Sequence, residues 1–94
     1  MQAKTFIIQN QVGLHARPAA LFVQTAAKFK AKIKVRNTTR GTPPVDAKSI
    51  IGVLGLGVAR GHEIEVVAEG EDEQAALEAF TRLIESDFAD TAKP

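Results

Sequence analysis

Two stretches of the chain alternate between apolar and charged positions, Ala31-Lys32-Ile33-Lys34-Val35-Arg36 and Glu63-Ile64-Glu65-Val66-Val67-Ala68-Glu69. Successive side chains of a strand point to opposite faces, so both stretches predict strands with one face on a core and the other in water. Ala31, Ile33 and Val35 form the inward set of the first. The outward positions are cations in one strand and acids in the other. Pairing the two would set Lys32, Lys34 and Arg36 across from Glu63, Glu65 and Glu69.

The other elements follow from shorter patterns. Lys4-Thr5-Phe6-Ile7-Ile8 is a β-favouring run that breaks at Gln9-Asn10-Gln11, with Phe6 and Ile8 facing the core. From Ala16 to about Phe29 the set Ala19, Ala20, Val23, Ala26 and Ala27 falls at helical spacing, with Gln24 and Lys28 at its polar edge. Asn37 to Val45 is a turn-rich hairpin whose second arm contains Pro43 and Pro44, which cannot donate to a ladder, so that arm is a short edge strand. Asp46 is placed to cap a short helix from Ala47 to about Val53. After Gly70, acid in the first turn and the stripe Ala76, Ala79, Phe80, Leu83 and Ile84 predict a last helix, and residues 89–94 read as a frayed tail. The order is strand, helix, strand, short strand, short helix, strand, helix.

Charge is unevenly distributed. Residues 1–48 hold nine Lys/Arg against the single acid Asp46, and residues 49–94 hold three against ten acids, although the whole chain carries only +1. A basic half raises the question of nucleic acid, but this half has no Trp or Tyr on which bases could stack, and strand pairing accounts for the charges internally. No nucleic-acid partner is expected. At 94 residues, 45% apolar, the chain has room for one core, and residues 1–94 read as one domain. It has no run of about 18 apolar residues and no apolar region after its first residues, so a cytoplasmic protein without a membrane partner is expected. Without cysteine, and with only His15 and His62 well separated, the expectation is no metal and no cofactor. His62 reads as a surface residue.

The chemistry concentrates in Gly13-Leu14-His15-Ala16-Arg17-Pro18-Ala19-Ala20, which sets a histidine where a loop turns into a helix. Gly13 permits a tight approach, and Pro18 suits a first helical turn, where a missing N–H costs little. The first N–H groups of a helix have no partner within it and carry the positive end of its dipole, so an oxyanion beside His15 would meet backbone donors and the Arg17 cation. Neutral imidazole is a competent nucleophile, and this setting suits one that takes and returns a phosphoryl group.

That run resembles the active-site signature of the HPr family, the histidine phosphocarriers of the bacterial phosphoenolpyruvate-dependent sugar phosphotransferase system. A second match lies at Ala47-Lys48-Ser49-Ile50-Ile51-Gly52-Val53-Leu54, and the resemblance extends from Phe6 to about Glu85. It implies an α+β fold, an open-faced β-sandwich of order βαββαβα with three helices on one face of a four-stranded antiparallel sheet. It implies that His15 accepts phosphate on Nδ1 from phosphorylated enzyme I and passes it to enzyme IIA domains, a carrier and not an enzyme in its own right. Arg17 and the amides of Ala16 and Arg17 would hold the phosphate, with Pro18 completing the motif.

By the same resemblance Ser49 aligns with a serine modified by a dedicated kinase/phosphorylase in some bacteria, which brings in a catabolite-control regulator as a further partner. Ala20, Leu21, Gln24, Ile50, Ile51 and Leu54 would form the docking surface, with Leu21, Ile51 and Leu54 partly exposed, and the protein would act as a monomer. Service in a nitrogen-regulatory or catabolite-repression branch is the other reading of the same signature. The Pro43-Pro44 hairpin is longer than usual in the family, Gly55 stands where serine is frequent, and aliphatics occupy positions 51 and 54 where methionine is common.

Overall fold

A computed structural model describes residues 1–88, and the expected fraying of 89–94 lies outside them. The elements run β1 (Gln2–Ile7), α1 (Ala16–Ala27), β2 (Lys32–Asn37), β3 (Val45–Asp46), α2 (Ile50–Gly55), β4 (Glu63–Glu69) and α3 (Glu73–Glu85). The strands form one sheet of order β1-β4-β2-β3, every neighbouring pair antiparallel. The fold is α+β, with three helices over the apolar face of a four-stranded antiparallel sheet and the charged face in water.

The alternating stretches behave as strands should. Ile33, Val35, Ile64, Val66 and Ala68 are buried, joined by Phe6 and Ile8, while Lys32 and Lys34 are exposed. The register meets the expected charge pairing at two positions, Lys32 opposite Glu69 and Arg36 opposite Glu65, the latter with Nε 2.8 Å from the carboxylate. Lys34 instead faces Val67, with Asp46 of β3 on its other side. Because Val66 points inward, the pleat turns Val67 outward, so Lys34 meets a valine where the charge pairing had expected a glutamate. Glu63 faces Ile7 of β1 and accepts a hydrogen bond from the Thr38 hydroxyl at 2.8 Å.

The buried face of α1 differs from the expected alanine stripe. Pro18, Ala19, Phe22, Thr25 and Ala26 are buried, whereas Ala20 and Val23 are half-buried and Ala27 is exposed. Phe22 decides this orientation, since burying one aromatic ring removes more apolar surface than several alanines. Its ring lies against Phe80 of α3, centroids 4.6 Å apart and tilted by 39°. In α3 the buried residues are Ala76, Leu77 and Phe80, with Ala79, Leu83 and Ile84 half-buried. At its C-terminal end the amides of Asp87 and Phe88, both at positive φ, donate to the carbonyls of Ile84 and Leu83, closing the last turn.

The short helix begins later than expected. Ser49 caps α2, its Oγ accepting from the Gly52 amide at 3.1 Å, whereas Asp46 ends β3 and its carboxylate accepts from the Lys48 amide at 2.9 Å. Asp46 therefore makes a local turn of its own.

Asp72, at the start of α3, holds the α1–β2 connection. Its carboxylate oxygens accept the amides of Lys30 and Ala31, each at 2.9 Å. The Lys30 hydrogen bond is the main cause of a carboxyl held below its ordinary value, with the Ala31 amide and the Lys48 charge acting in the same direction. A depressed carboxylate stabilises the fold above its unfolded pKa, and that contribution is lost as pH falls through the folded value. We expect Asp72→Asn to lower the urea midpoint at neutral pH. It should also flatten part of the acid loss that the wild type shows below about pH 4. Glu73, depressed by the Gly70 amide, supplies part of the remaining loss.

Candidate functional site

The loop ahead of α1 is fixed before the helix starts. The Asn10 side chain donates to the Gly13 carbonyl at 2.8 Å, and the Gly13 amide donates back to the Asn10 carbonyl at 3.2 Å. Gly13 has a φ of 63°, and a Cβ there would collide with the Val58 carbonyl and the Ala59 Cα. Next, the Leu14 amide donates to the Val58 carbonyl at 3.0 Å and its side chain is buried. The chain is thus tied to the α2–β4 connection immediately before His15.

His15 is the N-cap of α1, with an extended backbone and a carbonyl that accepts the Ala19 amide at 2.8 Å. Its side chain makes no capping bond and is exposed. Pro18 has no N–H and is buried, so Ala16 and Arg17, both exposed, are the residues whose amides belong to the mouth of the helix. No acid lies in the first turn. The positive end of the helix dipole and the cationic charge of Arg17, two residues on, both favour a negatively charged ligand.

Beside this mouth α2 packs on α1 and leaves aliphatic surface uncovered. Ile51 is 81% exposed, Leu54 42% and Ile50 39%. Ala20 and Leu21 are half-buried and Gln24 is exposed. Sequence reasoning passed over Val12, which is 60% exposed in the loop just ahead of His15. A lone valine between polar loop residues gives no periodic signal. The long hairpin was legible only as a longer turn. In the structure it folds back so that the Arg40 guanidinium packs against Gly57, at the end of α2.

His62 is not the surface residue expected. It is half-buried, and its Nδ1 lies 3.1 Å from both the Ala59 amide and the Asn37 carboxamide nitrogen. Its position at the head of a charged strand concealed this, because one partner is a backbone amide of its own turn and the other stands at the end of β2, 25 positions earlier in the chain.

A family model described as the PTS HPr component phosphorylation site matches residues 2–86. This chain belongs to the PTS HPr family. It is 49% identical over 89 residues to the phosphocarrier protein HPr of Treponema pallidum, covering 94% of this chain and 97% of that one. The crystal structure of HPr-C-His from Thermoanaerobacter tengcongensis has a TM-score of 0.88 at 50% identity, covering 94% of this chain and 96% of that one. A multiphosphoryl transfer protein of Haemophilus influenzae is 46% identical over 80 residues, which are 85% of this chain and 16% of that protein. There the HPr-like sequence is one segment of a much longer polypeptide. In this HPr-family chain, no helix among the described residues is long and apolar enough to cross a membrane.

Proposed function

We propose that this protein is a phosphoryl carrier of the phosphotransferase system, accepting the group on Nδ1 of His15 from phosphorylated enzyme I and passing it to enzyme IIA domains. The observation that supports this most is the exposed His15 ring at the N-terminus of α1, beside Ala16 and Arg17. In the first transfer the Nδ1 lone pair of His15 attacks phosphorus while the P–N bond to the donor breaks and the donor nitrogen keeps its electron pair. In the second an acceptor group of enzyme IIA attacks, the His15 P–N bond breaks, and Nδ1 keeps the pair. Such an exchange depends on positioning and on stabilising the charge of the passing group. The first turn of α1 and Arg17 supply that stabilisation, and the partner proteins supply the rest.

With labelled phosphoenolpyruvate and enzyme I, the wild type is expected to take up one acid-labile phosphate and His15→Ala none. Absence of label in the wild type, or its persistence in His15→Ala, would refute the carrier reading.

We also propose that the aliphatic surface of Ala20, Leu21, Ile50, Ile51 and Leu54, rimmed by Gln24, receives these partners. Ser49 would act as its regulatory position, modified by a kinase/phosphorylase. A phosphate on Ser49 adds about −1.5 to −2 charges beside an apolar face, which should weaken docking. Ile51→Glu and Ser49→Asp are each expected to raise the KM of His15 phosphorylation roughly tenfold with little change in kcat, since they act on binding. Unchanged KM in both variants would remove this face from the docking surface. Phosphate incorporation from ATP and such a kinase into the wild type but not Ser49→Ala would establish the modification; equal incorporation in both would exclude Ser49 as its site.

A further inference from the structure

We infer that His62 is a positioning residue for the loop that carries His15, an inference that rests on the carrier reading of His15. The Ala59 amide can only donate, so Nδ1 of His62 carries a lone pair and the ring proton sits on Nε2. The Arg40 amide donates to Oδ1 of Asn37 at 3.1 Å, which turns the carboxamide NH2 toward His62 and toward the Leu56 carbonyl, also 3.1 Å away. Two backbone amides thus fix both the tautomer and the amide orientation. Asn37 is fully buried, and its bond to the Leu56 carbonyl is shielded from water while those to His62 and Arg40 are partly so.

The turn that His62 closes supports the His15 loop at both ends. The His62 amide donates to the Ala59 carbonyl at 3.0 Å, while its ring accepts the Ala59 amide, so both sides of Ala59 are held. Beside it, the Val58 carbonyl receives Leu14, and Gly13 lies against Val58 and Ala59 without space for a Cβ. At the other end, the Ile8 amide donates to the His62 carbonyl at 2.9 Å and the Gly61 amide to the Ile8 carbonyl at 2.7 Å. Through Asn37 the imidazole joins this support to β2 and the long hairpin.

Removing the ring leaves the Ala59 amide and one Asn37 N–H without their acceptor. The turn then relaxes, and the Val58 carbonyl that anchors Leu14 moves with it. A phosphoryl transfer is sensitive to displacements of about 1 Å, so the effect should appear at His15 although His62 does not touch the reacting atoms.

The test compares His62→Ala with His62→Asn, whose Oδ1 sits at the same branch of the side chain as Nδ1 and can accept both donors. His62→Ala is expected to move the amide resonances of Gly13, Leu14, His15 and Ala16. It should also lower kcat/KM for His15 phosphorylation by phosphorylated enzyme I roughly tenfold, measured well below the melting temperature. His62→Asn should restore both readouts to within about twofold of the wild type. Wild-type resonances and rate in His62→Ala would overturn the inference. So would a His62→Asn variant as impaired as His62→Ala, because ring bulk and not the acceptor would then be at work. If the wild type takes up no phosphate, the carrier reading fails, and the resonances alone decide the role of His62.

Discussion

Phe22→Ala is expected to cost about 3–5 kcal/mol, measured as a fall in the urea midpoint at unchanged slope. Phe22 is fully buried and its ring contacts that of Phe80 across the α1–α3 interface. The variant loses the transfer free energy of the ring, part of the aromatic pairing, and the packing of the space left behind. A chain of this length has a total stability on the order of 5–14 kcal/mol, so the loss is a large fraction of what holds the fold. Val23→Ala, one residue on and half-buried, should cost about 1 kcal/mol. Equal losses in the two variants would mean that α1 does not present the Phe22 face to the core.

Gly13→Ala is expected to be the most damaging single change in the His15 loop, at about 2–5 kcal/mol. A side chain at a φ of 63° costs about 1–2 kcal/mol by itself. The added carbon would also strike the Val58 carbonyl, forcing apart the Leu14–Val58 hydrogen bond, whose loss costs about 1–3 kcal/mol when its groups stay buried. Gly41 separates the two contributions, for it has a φ of 69° with nothing within 4 Å of an added Cβ. Gly41→Ala should show only the conformational part, about 1–2 kcal/mol. If both variants lose the same stability, the close approach to Val58 carries no weight.

The sheet was legible because Ala31–Arg36 alternates strictly and Glu63–Glu69 departs from alternation only at Val67, so the buried face and most of the outward charge could be read from the two stretches. What the alternation left open was which outward residues meet, and Val67 opposite Lys34 shows that charge is a weaker guide to register than the pleat. Around α1 the many alanines masked the one large side chain that sets the helix rotation, because spacing weighs all apolar residues alike whereas burial scales with area. The start of α2 was misplaced for a related reason. Asp46 and Ser49 both suit an N-cap, and only backbone direction tells which side chain reaches the Gly52 amide. At the candidate site, the local run from Gly13 to Pro18 was enough to place His15 at a helix mouth. The support beneath it was not, since Val58, Ala59, His62 and Asn37 approach it only through the folded chain.

The two-residue strand β3, preceded by Pro43 and Pro44, ends the sheet on that side. A stray polypeptide seeking to lengthen the ladder there finds few outward amides, since neither proline has one to give. That border is therefore a poor template for fibre-like growth.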